Sequence, residues 1–242
     1  MSKQSMSDLV VRSLTPSITI FSRPFLRFPG VPIGSRSTAI RLEQGENKDK
    51  VWVLASSQCD DEVIENIKKL GQVKYLVAPD TEQYIDAFPD AKVIGVDGVQ
   101  TKMNDVKFDY IYGKNDAQEK VGYEPELQVV WFDKYINRDL AFFHQPTKTL
   151  VGHAYYHIND ANMVKYSKTD ASPAPWFPFV GNLRPGTLTH RIAAMSMSKN
   201  EAEIKQVYDW DFERIIMSHG DVIESNGRKA WYDVFSRYLP KS

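Results

Sequence analysis

The stretch from Val51 to Gly98 constrains the fold more than any other part of this chain. Val51 to Leu54 is an apolar run of strand type. In SSQCDDEVIENIKKLG, residues Val63, Ile64, Ile67 and Leu70 fall on one helical face. Asp60 stands where an N-cap belongs, acidic residues fill the first turn, Lys68 and Lys69 the last, and Gly71 closes the helix. Lys74 to Val77 is a mostly apolar strand ended by Ala78 and Pro79, a short helix runs to Phe88, and PDAKVIGVDG reads as turn, strand, turn. That order predicts an α/β fold in which helices pack on a sheet.

The flanking regions read differently. Ile18 to Phe21 and Ser37 to Leu42 are short strands separated by FSRPFLRFPGVPIGSRS, whose Pro and Gly content predicts a loop. Lys107 to Tyr112, Leu127 to Phe132, Asp139 to Phe143 and Thr149 to Gly152 are strands without helices between them, with a hairpin turn at 145–148. Residues 167–186 carry four Pro and the aromatics Trp176, Phe177 and Phe179, which predicts an ordered loop or lid. The tail reads as two helices, a strand at Arg214 to Met217, and a last helix striped by Ala230, Trp231, Val234 and Phe235.

Composition excludes several classes. The 242 residues suit a single domain, 1–242, able to bury a core. A formal net charge of −1 gives no reason to expect nucleic acid or an acidic membrane as partner. One Cys rules out a disulfide framework, and only five His make a His-rich metal centre hard to assemble. No apolar run reaches the roughly 18–20 residues of a membrane helix, and the start has no signal-peptide core, so a soluble cytoplasmic location is expected. The expected partner is a small-molecule substrate or ligand, and homo-oligomerisation is left open.

The stretch just described, together with TKTLVGH and the later WDFERIIMSHGDVIE, resembles the metallo-β-lactamase-like superfamily. It looks closest to a branch of unknown function with degenerate metal motifs, whose members share LVAP, PDAKV, an H-x-P-[ST]-[RK]-T-L hairpin and a terminal HGD. The resemblance implies a four-layer αβ/βα sandwich, two mixed β-sheets flanked by helices. It also implies one or two zinc ions held mainly by a T-H-x-H-x-D-H stretch after a strand. Here Pro79 and Thr81 stand in place of the two His of H-x-H, Gln83 in place of the Asp, and Tyr84 in place of the last His. Tyr135 to Arg138 lacks the next His, no carboxylate occupies the bridging position near His153, and the final His survives as His219. The expectation is therefore that the zinc site is absent and that no metal or other cofactor is bound.

The resemblance carries the pocket over onto Asp80, Gln83, Tyr84, His153, His219 and Asp221. A His beside Asp or Tyr performs acid–base chemistry near neutral pH, so the catalytic candidates are His219, His153, Tyr84, Asp221 and Asp80. The ligand-binding candidates are Gln83, Trp176, Phe177 and Phe179, with Arg36 for an anionic group. Three functions stay open: a metal-independent hydrolase- or lyase-type enzyme, a non-catalytic binder of a ligand or protein, and a metallohydrolase rebuilt on His153, His157 and His219. Cys59 before a helix N-terminus raises the prospect of a reactive thiol, although a buried structural Cys is commoner. His144 at the hairpin turn and His190 at a helix start are expected to be structural.

Overall fold

The computed structural model describes residues 8–28, 31–78, 82–98, 106–116, 119–124, 126–135, 138–152 and 185–240. The large sheet runs β1-β2-β5-β6-β7-β8-β9, built from Val10–Ser13, Ile18–Arg23, Ser35–Arg41, Lys50–Leu54, Gln72–Val77, Lys92–Val96 and Tyr110–Tyr112. Its first half is antiparallel and its second half, from β6 onward, is parallel. The small sheet runs β10-β11-β12-β13, from Leu127–Trp131, Leu140–His144, Thr149–Gly152 and Arg214–Met217. β12 and β13 are parallel, and the other pairs are antiparallel. The helices are α1 (Asp61–Leu70), α2 (Glu82–Ala87), α3 (Leu188–Ala194), α4 (Glu201–Tyr208) and α5 (Gly227–Phe235).

Three apolar clusters define four layers. Between the sheets, Ile18, Ile20, Trp52 and Val77 of the large sheet meet Leu140, Phe142, Val151 and Ile216 of the small one. On the outer face of the large sheet, Val51, Val53 and Leu76 pack on Val63 and Ile67 of α1 and Tyr84 of α2. On the outer face of the small sheet, Phe143, Leu150 and Ile215 pack on Ile204 of α4 and Trp231 and Phe235 of α5. Strand β6 is buried on both faces, which is why its sequence is a continuous apolar run rather than an alternation. Each such side chain contributes roughly 1.5–3 kcal/mol of burial, an upper estimate for a compact unfolded chain.

Helix α1 forms as its sequence dictates. The Asp60 side chain accepts the Val63 amide at 3.0 Å. Gly71 ends the helix at φ 147°, where a Cβ would come within 2.6 Å of the Asp49 carbonyl oxygen. Two elements differ from the sequence reading. The Pro- and Gly-rich stretch is not wholly loop: Leu26–Phe28 (β3) and Val31–Pro32 (β4) pair as a small two-stranded ladder. β1 is an edge strand only half covered by neighbours, so it carries no strong apolar alternation. Among the described residues no helix is long and apolar enough to cross a membrane.

Candidate functional site

The carboxyl ends of β6, β7, β8, β12 and β13 share one edge of the sandwich with the start of β5 and the tip of the β10–β11 hairpin. His219 sits there, two residues past β13. Its Nδ1 lies 2.6 Å from the carbonyl oxygen of Gly34. A carbonyl only accepts, so Nδ1 carries the ring proton and Nε2 is the basic nitrogen of the neutral ring. The Phe25 ring stacks on the imidazole at 5.9 Å and 24°.

Arg36 fixes that loop. It is 2% exposed and donates from Nη1 to the Met217 carbonyl at 2.6 Å, from Nη2 to the Gly220 carbonyl at 2.8 Å, and from Nε to Ser22 at 3.0 Å. The Gly220 amide donates to the Ile33 carbonyl at 2.7 Å. The planar guanidinium thus brackets Ser218 and His219 between two carbonyls. The expectation that Arg36 meets an anionic ligand is corrected: its donors are buried and engaged with the protein.

Tyr84 also departs from expectation. Its hydroxyl donates to Ser37 Oγ at 2.8 Å, and the same oxygen accepts the amides of Ser56 and Ser57 at 3.0 and 2.9 Å. Burial pushes the phenol well above its ordinary pKa. Arg36 and Ser37 are successive residues of β5 and face opposite sides of the sheet, as the burial of Ile40 between the sheets and Ala39 under the helices confirms. Tyr84 therefore approaches the outer face of β5 while the His219 loop approaches the inner one. The grouping of Tyr84 with His219 does not form, because α2 packs on the outer face and carries the phenol into that core.

Gln83, next on α2, is exposed and lines an open cleft of about 480 Å³ with Gln58, Cys59, Asp61 and Asp86. Asp221 is half-buried beside the His219 loop. His153, His157, Asp80, Trp176, Phe177 and Phe179 lie outside the described residues, as does most of the 167–186 segment. Cys59 is buried, and desolvation, with Asp60 beside it, pushes its thiol up to about 12. The native thiol is expected to alkylate slowly with iodoacetamide at pH 8 and to react at the ordinary rate only after unfolding. Fast native alkylation would show that burial does not hold the thiol protonated.

Two groups were missed from the sequence. Asp139 immediately precedes β11, at the same edge as His219. One of its carboxylate oxygens is buried with no hydrogen-bond partner among the described residues, and burial pushes the carboxyl up to about 7. The second group, Glu43, Glu126 and His144, sits at the opposite end, where β5 leaves the large sheet and the 145–148 turn joins β11 to β12. Glu126 accepts the amides of Glu43 and Gln44 at 2.8–2.9 Å, and its Oε1 lies 2.8 Å from His144 Nε2. His144 Nδ1 is 2.7 Å from Thr147 Oγ1. These three residues can be read as metal donors, yet two ligands of a tetrahedral zinc stand about 3.3 Å apart on bonds of roughly 2.0–2.1 Å. The 2.8 Å separation is that of a hydrogen bond, and Glu126 is already bound by two amides.

Comparison with solved structures fits the layers and strand order. A metallo-β-lactamase from Hirschia baltica matches with a TM-score of 0.59 at 12% identity, over 98% of this chain and 100% of that one. The fold is that of the metallo-β-lactamases. FIM-1 from Pseudomonas aeruginosa, in its mono-zinc form, matches with a TM-score of 0.54 at 11% identity over 99% and 100% of the two chains. A flavodiiron core from Synechocystis matches with a TM-score of 0.60 at 13% identity; 96% of this chain aligns, spanning 60% of that one. No family model and no curated protein matches the chain. Identities this low establish the metallo-β-lactamase architecture and leave activity to the residues at the edge.

The zinc that this fold implies needs three or four N, O or S donors. Of the positions the resemblance points to, the described residues supply one imidazole, His219. Gln83 is exposed on α2, and Tyr84 is held in the outer core by Ser37. The described residues at this edge do not make up a zinc site.

Proposed function

We propose that this chain is a small-molecule enzyme of hydrolase or lyase type that works without zinc at the strand-end edge, with His219 as general base. The observation that carries the reading is how His219 is held. Gly34 fixes the tautomer, Phe25 fixes the ring plane, and Arg36 fixes the backbone on both sides. A base pre-positioned on a rigid scaffold costs little reorganisation at the moment of proton transfer, and such groups contribute typically about 10²–10⁴ in rate. The substrates that suit such a base are molecules from which one proton is abstracted, or whose hydrolysis needs an activated water.

The test uses full-length protein purified without chelator or added metal. Elemental analysis is expected to find well under one zinc per chain. A panel of 4-nitrophenyl esters, phosphodiesters and glycosides is expected to contain a substrate whose turnover survives dialysis against a chelator and falls at least about 100-fold in His219→Gln. Stoichiometric zinc whose removal abolishes turnover would refute the reading. So would full activity in His219→Gln.

A further inference from the structure

We propose that Arg138 is the specificity residue of the His219 edge, where it binds an oxyanion, a carboxylate or phosphate group, carried by the substrate. This rests on the function proposed above and names its substrate class. Strand register places both features at one edge. Thr38, Leu54, Val77 and Ile94 are level across β5, β6, β7 and β8. Two residues further toward the edge, Arg36 of β5 is level with Val96 of β8. Arg36 holds the His219 loop there, and Val96 leads into Asp97, the anchor of Arg138. Three strand spacings separate β5 from β8, roughly 14 Å along the edge.

Two arginines tie the sheets together at this edge, and they differ in what they leave open. Arg36 reaches from the large sheet to the small one and is 2% exposed. Arg138 stands just before β11 of the small sheet and reaches Asp97, just after β8 of the large one. Both of its bonds come from Nη1, to Asp97 Oδ2 at 2.8 Å and to the Asp97 carbonyl at 3.1 Å. Among the described residues Nε and Nη2 have no partner, and the side chain is 45% exposed. Lys114 Nζ lies 3.6 Å from Asp97 Oδ1, so two cations share one carboxylate and the cluster keeps a positive charge. The Nε and Nη2 side of a planar guanidinium is a fork that matches two oxygens of a carboxylate or phosphate.

The backbone is shaped around this placement. Arg138 has φ 49°, left-handed for a residue with a side chain, and Gly98, next to Asp97, has φ 88°. A Cβ at Gly98 would lie 3.1 Å from Arg138 Nη1. Left-handed backbone at a non-glycine residue costs stability and recurs at ligand clamps, and an exposed ion pair offsets little of that cost.

The first test needs no turnover. The full-length parent, Arg138→Gln, Arg138→Lys and His219→Gln are melted in inorganic phosphate and in glutarate, each against sodium chloride of equal ionic strength. At least one of the two anions is expected to raise the midpoint of the parent and of His219→Gln above that in chloride. The rise should vanish in Arg138→Gln and weaken in Arg138→Lys, whose ammonium keeps the charge without the fork. If neither anion raises the parent midpoint, or both Arg138 variants keep the full rise, the proposal is overturned.

The second test ties the site to the chemistry. Mono-4-nitrophenyl esters of succinic, adipic and suberic acid are compared with the 4-nitrophenyl esters of the uncharged monoacids of the same length. At least one anionic ester is expected to exceed its uncharged match in kcat/KM. Arg138→Gln should lower kcat/KM for that ester about 10–100-fold, chiefly through KM, and for the uncharged match far less. His219→Gln should abolish turnover of both. If turnover depends on His219 but Arg138→Gln affects the two esters equally, the Arg138 proposal falls and the His219 reading stands. If no ester is turned over in a His219-dependent way, the His219 reading falls and with it the assignment of the anion to a substrate, while the melts still report whether Arg138 binds one.

Discussion

Replacing Glu126 or His144 by Ala is expected to destabilise the protein by about 3–5 kcal/mol, the cost of removing one partner from a buried polar pair. For a chain of this length that is a fall of about 6–20 °C in thermal midpoint. Both side chains are at most 3% exposed. Glu126→Ala leaves the His144 ring nitrogen and the Glu43 and Gln44 amides without their acceptor. His144→Ala empties the site between Glu126 and Thr147. The effect reaches beyond one turn, because the pair ties the 42–49 connection of the large sheet to the β11–β12 hairpin of the small one. The double mutant should cost clearly less than the sum of the singles, since the second substitution removes a group already stranded. Urea unfolding of the four proteins measures this. Additive costs, or singles under about 1 kcal/mol, would show that water replaces the pair. Added zinc should leave the parent midpoint unchanged, and a zinc-induced rise lost in His144→Ala would make the group a metal site after all.

Arg36→Met is the second large effect, expected at about 3 kcal/mol. The substitution keeps the apolar stem but strands the carbonyls of Met217 and Gly220, each costing roughly 1–3 kcal/mol if left unmade. Arg36→Lys should recover only part of this, because an ammonium cannot span two carbonyls that a planar fork reaches together. A local signature accompanies the global one. Amide exchange of residues 218–221 should accelerate more than that of β6, because the His219 loop loses its anchor while the sheet keeps its ladder. Uniform acceleration across the chain would show that Arg36 stabilises the whole fold and does not specifically hold the loop. If the His219 site is catalytic, Arg36→Met should also lower its turnover without contact between Arg36 and substrate.

Local signals carried much of the architecture. The Asp60 cap, the Gly71 stop and the apolar faces of α1 and α5 were legible because each depends on residues within one or two turns. The β3–β4 ladder was not, since Pro and Gly mark a turn but do not reveal whether the arms on either side pair. The candidate site divided along the same line. His219 stood out by the HGD that follows a strand. Arg36 read as a surface cation in a loop, although its partners are carbonyls 181 and 184 residues away. Tyr84 was placed with His219 because the motif positions were adjacent, and the face on which α2 packs decided otherwise. Asp139 carries no sequence mark at all, because its significance comes from burial.

Hydrophobic period, capping residues and the order of strands and helices determined which segments become helix or strand and that sheets are layered with helices. Those are short-range preferences, and the chain states them locally. Which face of β5 meets which loop, which cation is buried, and which carboxyl lacks a partner were decided only by the stacking of two sheets. Burial and hydrogen-bond partnership belong to surfaces that do not exist until distant segments meet, so the same Arg, Tyr or Asp has its chemical role assigned by the tertiary structure.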